Sequence, residues 1–256
     1  SKSLLKDDTG NDLLVSVPIL DIEIFIKIWE VKIGRISLFL LDTSVDQNNE
    51  EDRAIIHSLY GGTRDTRIKQ EIILGIGGIR VIRALGLKPT VWHINEGHAA
   101  FQILERCREH VANSMDFDSA LELVASNTVF TTHTPVPAGH DIFDHDLFNL
   151  YFKSFAKDLH KHLDKILELG ASPDNQGGFN MTALALRGSR FQNGVSRIHG
   201  TVASRNEGYV WPQIPPQENP IQYVTNGVHL ATFLAREWFN LFDMNFDRSW
   251  RNEQLN

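Results

Sequence analysis

The hydrophobic positions divide the chain into a β-rich beginning and a longer α/β remainder. Residues 13–41 are rich in Val, Ile, Phe and Leu, and in places these alternate with polar residues. The run Lys32-Ile33-Gly34-Arg35 interrupts the pattern like a turn, so the segment predicts two or three antiparallel strands. From residue 50 to residue 256, short apolar runs alternate with segments of helical periodicity, which is typical of an α/β fold.

The α/β part predicts seven helical regions, three strands and further C-terminal helices. The predicted helices cover 50–60, 67–85, 97–112, 116–126, 145–169, 179–187 and 195–204, and the strands cover 90–94, 128–132 and 221–224. Gly61 and Gly62 are expected to end the first helix. Gly75, Gly77 and Gly78 lie inside the second, where each costs up to about 1 kcal/mol relative to Ala. We therefore expect them to serve close backbone packing. A dinucleotide-binding loop would instead follow a strand and open a helix.

Polar residues follow all three predicted strands. The stretches are Val91–His98, Val129–Pro135 and Ile221–Gly227. In open α/β sheets, ligands bind beyond the carboxyl ends of the strands. The sequence therefore predicts one shared pocket at these ends.

Composition narrows the class of protein. The 256 residues carry a net charge of −7, and no cluster of Lys and Arg suggests a nucleic-acid-binding surface. Cys107 is the single cysteine, which excludes an intrachain disulfide and favours a reducing cytoplasm. No run of about 18 apolar residues predicts a membrane span, and the polar N-terminus does not resemble a targeting signal.

Imidazole and carboxylate groups could be gathered into a metal site between residues 93 and 146, since both are suitable zinc or iron ligands. The spacing matches none of the helical zinc motifs. A metal-dependent hydrolase built on this cluster remains an alternative. Its candidate ligands are His93, Glu96, His98, His133, His140, Asp141, Asp144 and His145.

His133 is the most informative of these residues, because threonines flank it and Pro135 and Pro137 follow. A rigid turn rich in hydroxyl groups can hold several donors and acceptors in the geometry that recognises a neutral sugar. The same threonines could merely cap the next helix. Asn226-Gly227 also has two interpretations. It is a common turn dipeptide, and the Asn amide also suits a sugar hydroxyl.

Five blocks of sequence resemble the α-glucan phosphorylases (glycogen, starch and maltodextrin phosphorylases) of bacteria and archaea. They occur in the order and spacing of that family, and the resemblance covers nearly the whole chain from about residue 13. The blocks are 59–62 (LYGG) leading into 67–71 (RIKQE), 93–101 (HINEGHAAF), 131–140 (TTHTPVPAGH), 193–200 (NGVSRIHG) and 224–229 (VTNGVH).

The resemblance implies that residues 1–256 form the later part of the N-terminal domain of a GT-B glycosyltransferase, which has two Rossmann-like domains. The β-rich segment 13–41 and the α/β part 50–256 would both belong to this incomplete domain. The C-terminal domain, which carries the cofactor in that family, would be absent. The full-length enzyme would be a cytoplasmic homodimer.

The implied reaction is reversible phosphorolysis of a terminal α-1,4-glucosyl linkage, giving glucose 1-phosphate. By motif match, His133 would be the catalytic-site residue, hydrogen-bonded to a sugar hydroxyl with its backbone carbonyl facing the developing positive charge. Asn226 would bind the same sugar, and Glu96 and His98 would line the neighbouring acceptor-side subsite. The partners would be an α-1,4-glucan and inorganic phosphate or glucose 1-phosphate.

The family's cofactor is pyridoxal phosphate, and no counterpart of its anchoring lysine segment is found in this sequence. The cofactor carries the decisive chemistry, so we expect this chain alone to be inactive. A non-catalytic glucan-binding module is the second alternative, and turnover by the isolated chain would exclude it.

Overall fold

A computed structural model describes residues 2–58, 62–134, 140–161, 163–173, 178–246 and Trp250. Leu59, Tyr60 and Gly61 of the first sequence block, and Pro135 and Pro137 beside His133, lie outside these residues. None of the described helices combines the length and the apolar character that crossing a membrane requires.

The β-rich segment forms an antiparallel sheet, as its alternation predicts. Its strands are β1 (Lys2–Leu4), β2 (Leu14–Ile19), β3 (Ile22–Ile33) and β4 (Ile36–Asp42). The long strand β3 pairs with all three others, and β1 is an addition to the predicted strands. Gly34, with φ +58°, makes the predicted turn between β3 and β4, a conformation that glycine adopts without steric cost.

The predicted helix 50–60 is wrong in length, because α1 covers only Glu50–Arg53. The Arg53 carbonyl accepts a hydrogen bond from the Thr43 hydroxyl, and the His57 backbone N–H donates to Ala54 in a turn. The helical ladder therefore ends at Arg53. The glycines that were expected to end this helix begin at Gly61, which lies outside the described residues.

The predicted helix 67–85 starts earlier and is interrupted. Thr63 caps α2 (Arg64–Ile72), a π-helical turn follows at Ile73–Gly77, and α3 covers Gly78–Ala84. A Cβ atom on Gly75 would lie 2.9 Å from the Gln102 backbone nitrogen, and one on Gly77 would lie 2.8 Å from Ile26 Cδ1. Close packing is thus confirmed for these two glycines. It is wrong for Gly78, where an added Cβ would meet nothing within 4 Å among the described residues.

The rest of the chain alternates strands with helices. In order, its elements are β5 (Trp92–Asn95), α4 (Phe101–Ala112), α5 (Phe117–Ser126), β6 (Thr128–Thr132), β7 (Ile142–Asp144), α6 (His145–Asp158), α7 (Leu163–Leu167), β8 (Gly178–Asn180), α8 (Met181–Arg187), β9 (Phe191–Gly194), α9 (Arg197–Asn206), β10 (Ile221–Tyr223), α10 (Leu230–Phe233) and α11 (Arg236–Phe246). Single 3₁₀ turns lie at Gly97–Ala99, Glu168–Gly170 and Gly208–Val210.

Four of these strands form a parallel sheet in the order β10-β9-β6-β5. The three predicted strands are all present, and β9 is a fourth that the sequence pattern missed. The expected α/β class is confirmed to this extent: a parallel sheet with an antiparallel sheet near the start.

Three further boundaries correct the sequence-based expectations. The start of the predicted helix 179–187 is strand β8, which pairs antiparallel with β7, and Asn180 then caps α8. The predicted helix 97–112 opens with a 3₁₀ turn before α4 begins. The predicted helical stretch 145–169 is divided after Asp158, where α6 ends.

Aromatic packing fixes α4 against the elements around it. The Phe101 ring, at the start of α4, lies 4.5 Å from the Phe152 ring of α6 and 6.3 Å from the Phe179 ring of β8, measured between centroids. All three side chains are almost completely buried. Because Phe101 follows β5 by only a short turn, this core also fixes the loop that contains Glu96.

Candidate functional site

The three predicted strand ends lie on one edge of the sheet, because β5, β6, β9 and β10 are parallel neighbours. Polar side chains connect them across the strands. The Thr131 hydroxyl donates to Asn193 Oδ1 at 2.9 Å, and His93 Nε2 lies 2.7 Å from the same hydroxyl. The polar ends of β5, β6 and β9 therefore form one hydrogen-bonded edge.

Glu96, directly after β5, holds the end of β6. Its backbone N–H donates to the Thr131 carbonyl at 2.9 Å, and its Oε1 accepts from the backbone N–H of His133 at 2.5 Å. Glu96 is only 8% exposed, and its backbone has φ +61° and ψ −177°. Non-glycine residues avoid this region at a cost of about 1–3 kcal/mol, and such strain is found at functional sites.

A second contact orients the side chain of His133. Its Nε2 lies 2.6 Å from Asn95 Oδ1. An amide oxygen only accepts, so Nε2 carries the proton and Nδ1 of the neutral ring is the acceptor. His133 is partly exposed. Its Nδ1 atom is thus suited to accept a hydrogen bond from a ligand hydroxyl group.

His199, in the first turn of α9, adds a histidine to which sequence reasoning assigns no role. Its Nδ1 accepts from the Val195 backbone N–H at 3.2 Å, and its side chain is 9% exposed in total. Burial lowers the pKa of His199, and this effect outweighs the opposing one of the nearby Glu96 carboxylate. The ring is therefore neutral near pH 7. Its membership of a sequence block is the only signal that could have found it.

Asn226 lies at the same edge, after β10. Its backbone N–H donates to the carbonyl of Val195 at 3.1 Å, and Val195 directly follows β9. The Asn226 side chain is exposed. The structure thus brings Asn226 to the polar edge through its backbone and leaves its amide accessible to a ligand.

His98 belongs to a different group, the arginine-centred cluster of Arg67, Glu71, His98 and Asp141. Arg67 Nη2 lies 2.6 Å from His98 Nδ1, 2.9 Å from Asp141 Oδ2 and 3.1 Å from Glu71 Oε1. The cluster connects α2, the turn after β5 and the residue before β7. Sequence reasoning assigned no role to Arg67 or Glu71.

The arginine-centred cluster has zero net charge when Glu71 and His98 share one proton between them. Burial raises the pKa of Glu71 well above its ordinary value. The hydrogen bond to Asp141, followed by that to Glu71, raises the pKa of His98 to about 9. The pKa of Asp141 is far below its usual range because the hydrogen bonds from His98, Glu71 and Arg67 outweigh its burial. His98 therefore keeps its proton at neutral pH.

Three of these groups, Glu71, His98 and Asp141, place potential metal-ligand atoms within 4.8 Å of one another. The Arg67 guanidinium contacts all three and supplies the positive charge that a metal ion would supply. A divalent cation would therefore have to displace Arg67.

The other candidate metal ligands are dispersed. His93 contacts Thr131, His140 Nδ1 lies 2.7 Å from the Thr182 hydroxyl, and Asp144 caps α6 by accepting from Leu147. His145 lies in the first turn of α6.

The described residues do not provide an anchor for the pyridoxal phosphate implied by the resemblance. The described lysines contact acids, hydroxyls, carbonyls or aromatic rings, such as Lys69 with Asp65 and Lys2 with Trp29. Among the described residues, no such contact places a lysine at the polar edge of the sheet.

Comparison with known proteins finds similar sequences among curated relatives. The maltodextrin phosphorylase of Thermococcus litoralis is 43% identical over 248 residues, which are 97% of this chain and 29% of that protein. The glycogen phosphorylase of Mycobacterium tuberculosis is 43% identical over 251 residues, covering 93% of this chain and 29% of that protein.

The glycogen phosphorylase of Aquifex aeolicus is 34% identical over 239 residues, which cover 93% of this chain and 34% of that protein. No protein-family model matches the chain. The chain thus spans about a third or less of the length of these relatives.

Proposed function

Because the chain belongs to the glycogen and maltodextrin phosphorylase family, we propose that it forms part of the glucan-binding half of an α-glucan phosphorylase. The reaction is reversible phosphorolysis of a terminal α-1,4-glucosyl linkage, which gives glucose 1-phosphate. The substrates are an α-1,4-glucan and inorganic phosphate, or glucose 1-phosphate in the reverse direction. The chain is an incomplete N-terminal Rossmann-like domain of a GT-B enzyme.

The observation that carries this proposal is the fixed geometry of His133 at the shared edge of the sheet. Glu96 holds its backbone and Asn95 holds its imidazole, so the residue is positioned before a ligand binds. Preorganised polar groups of this kind suit a reaction in which charge develops at a defined atom.

In the proposed complex, His133 Nδ1 accepts a hydrogen bond from a hydroxyl of the reacting glucosyl unit. The His133 carbonyl faces the positive charge that develops as the glycosidic bond breaks through an oxocarbenium-like transition state. A carbonyl dipole at that place lowers the energy of the transition state without later reorganisation. The exposed amide of Asn226 binds the same sugar, because it can both donate to and accept from hydroxyl groups.

Glu96 and His98 are proposed to line the neighbouring acceptor-side subsite. Glu96 is buried, so it acts there chiefly by holding His133. The side chain of His98 is 26% exposed, and its Nδ1 atom is occupied by the arginine-centred cluster.

The remaining parts of the enzyme are proposed from the family. Pyridoxal phosphate would supply acid–base chemistry through its phosphate group, and its anchoring lysine would belong to a part of the full-length enzyme outside this chain. The full-length enzyme is proposed to be a cytoplasmic homodimer, with no nucleic-acid or membrane partner.

The test is phosphorolysis of maltoheptaose by the full-length polypeptide that contains this segment. We expect release of glucose 1-phosphate, and we expect His133→Ala to lower kcat/KM by roughly 100-fold or more. The matched control, His110→Ala near the end of α4, should change it by less than about twofold. Absence of turnover despite glucan binding would support the glucan-binding module instead.

The isolated 256-residue chain should show no phosphorolysis under the same conditions, because it lacks the proposed cofactor anchor. Turnover by the isolated chain would contradict the proposed division of labour between the two domains.

A further inference from the structure

His140 holds the backbone that follows His133. Its Nε2 lies 3.2 Å from the carbonyl oxygen of Thr134, the next residue after His133. A carbonyl oxygen only accepts, so Nε2 carries the proton and donates to it. Nδ1 of the neutral ring is then an acceptor, and the Thr182 hydroxyl donates to it at 2.7 Å. The two contacts together fix one tautomer and one orientation of the His140 ring.

The partner of His140 Nδ1 is itself fixed. Thr182 is 1% exposed, and its backbone N–H donates at 2.9 Å to the side chain that caps α8. Next to His140, the Asp141 carbonyl accepts from the Met181 backbone N–H at 3.0 Å. Both residues are therefore attached to the buried start of α8, and the imidazole of His140 extends this attachment to the backbone after His133.

The same start of α8 supports the turn that carries Glu96. A Cβ atom on Gly97 would lie 3.0 Å from Met181 Cβ. Gly97 directly follows Glu96, whose carboxylate accepts from the His133 backbone N–H. The two side chains that hold the backbone around His133, those of Glu96 and His140, are thus both placed by contacts with one buried element.

Glu96 and His140 enclose the peptide unit whose carbonyl has a proposed role in the reaction. Glu96 holds the N–H of His133, and His140 holds the carbonyl of Thr134. The peptide unit that joins His133 to Thr134 lies between these two anchored groups. Peptide units are planar, and each residue contributes only two soft backbone dihedrals. Anchoring both ends therefore restricts the direction of the His133 carbonyl.

We propose that His140 is a positioning residue whose Nε2–H group holds the Thr134 carbonyl and so directs the His133 carbonyl toward the reacting sugar. His140 does not touch the glucan in this arrangement, and it acts through the backbone of His133 and Thr134. The inference rests on the proposed function, because the direction of this carbonyl matters to a reaction in which positive charge develops beside it.

Two substitutions separate the roles of the two ring nitrogens. In His140→Gln, the amide nitrogen can take the place of Nε2 and still donate to Thr134. In His140→Asn, the shorter side chain can take the place of Nδ1 beside Thr182, but it leaves the Thr134 carbonyl without its donor. Both variants carry the same amide group, so each is the matched control of the other.

The experiment measures kcat and KM for maltoheptaose in the full-length polypeptide that contains this segment. We expect His140→Asn to lower kcat by about tenfold or more while KM changes by less than about threefold, because a carbonyl that faces developing charge acts mainly in the transition state. We expect His140→Gln to keep kcat within about threefold of the unsubstituted enzyme. Equal loss of kcat in both variants, no loss in either, or a loss that appears only in KM would overturn the proposal.

A full-length protein without phosphorolytic activity would refute the proposed function, and this inference with it. An active protein in which the two His140 variants behave alike would refute the inference alone. If His140→Asn does not fold, a crystal structure of the unsubstituted protein with bound maltodextrin provides the test. His140 Nε2 should lie within about 3.2 Å of the Thr134 oxygen, with the His133 carbonyl facing the terminal sugar. A separation above about 4 Å, or a carbonyl turned away from the sugar, would refute the inference.

Discussion

The Glu96 carboxylate accepts the backbone N–H of His133 at 2.5 Å, which joins the end of β5 to the end of β6. Glu96 makes this bond from a left-handed backbone conformation with φ +61°. The fold tolerates that conformation because the Glu96 N–H bonds to Thr131 and Gly97 behind it packs against α8. Local strain and the position of His133 are thus parts of one arrangement.

The strain at Glu96 predicts an order of stability between two variants. Glu96→Gly and Glu96→Ala both remove the carboxylate, but only alanine retains a Cβ atom in the unfavourable backbone region. We expect the Gly variant to be more stable than the Ala variant by about 1–3 kcal/mol in urea denaturation. The neighbouring Asn95 lies in strand β5, so Asn95→Gly should be less stable than Asn95→Ala. If the Ala variant were more stable than the Gly variant at Glu96, as is expected at Asn95, strain at Glu96 would be disproved.

The arginine-centred cluster predicts a loss of stability at alkaline pH. The folded pKa of His98, about 9, is above the ordinary value of 6.5. The bound proton therefore stabilises the fold fully below about pH 6.5, and this stability is lost as pH rises through about 9. Between pH 6 and pH 9.5, the free energy of unfolding should fall by roughly 1–3 kcal/mol more than in His98→Gln. Parallel pH profiles for the two proteins would contradict this account.

Arg67 is expected to be essential for the same cluster. Glu71 is almost fully buried, and Asp141 is partly buried beside it. Replacing Arg67 with Met would remove the guanidinium that contacts both acids, at a cost of about 3–5 kcal/mol in urea denaturation. Arg64→Met, at the exposed start of α2, is the matched control and should cost less than about 1 kcal/mol. Similar losses in both variants would show that Arg67 has no special role.

The same geometry predicts that no divalent metal is needed. Arg67 contacts each of the three residues that could bind a metal ion. Dialysis against a chelator should therefore leave phosphorolysis unchanged, and purified protein should contain no stoichiometric zinc, iron or manganese. Activity that is lost to the chelator and restored by one of these metals would favour the metal-dependent hydrolase instead.

The glycines of the interrupted helix offer a test of the fold. Gly75→Ala would press a methyl group against the backbone of Gln102, whereas Gly78→Ala would meet nothing within 4 Å among the described residues. We expect Gly75→Ala to destabilise the protein by about 1–3 kcal/mol and Gly78→Ala to stabilise it by up to about 1 kcal/mol. Thermal denaturation of the two variants measures the difference, and equal melting temperatures would count against the packing described for Gly75.

The hydrophobic pattern predicts the elements whose apolar residues are buried. It fails where an apolar residue is exposed and a polar residue is buried. Strands β5 and β6 were predicted because their apolar residues are buried. Strand β9 was missed because Phe191 is 59% exposed while Gln192 is buried, the reverse of the usual arrangement. The Gln192 amide nitrogen donates to the carbonyls of Leu186 and Ser189, contacts that no local pattern reveals.

The candidate site, too, could be predicted only in part from the sequence. The position of His133 at a strand end follows from local sequence. Its partnership with Glu96 depends on the order of strands in the sheet and on a rare backbone conformation. The link between Arg67 and Asp141 joins residues 74 positions apart, which only the folded chain brings together.

The central claim is that His133 binds the reacting glucosyl unit, and a crystal structure of the full-length polypeptide with a bound maltodextrin tests it most directly. The account predicts a hydroxyl group of the terminal sugar within about 3.2 Å of His133 Nδ1, with the Glu96–His133 contact retained. A maltodextrin bound away from the edge formed by β5, β6, β9 and β10, or a His133 ring turned away from it, would contradict the account.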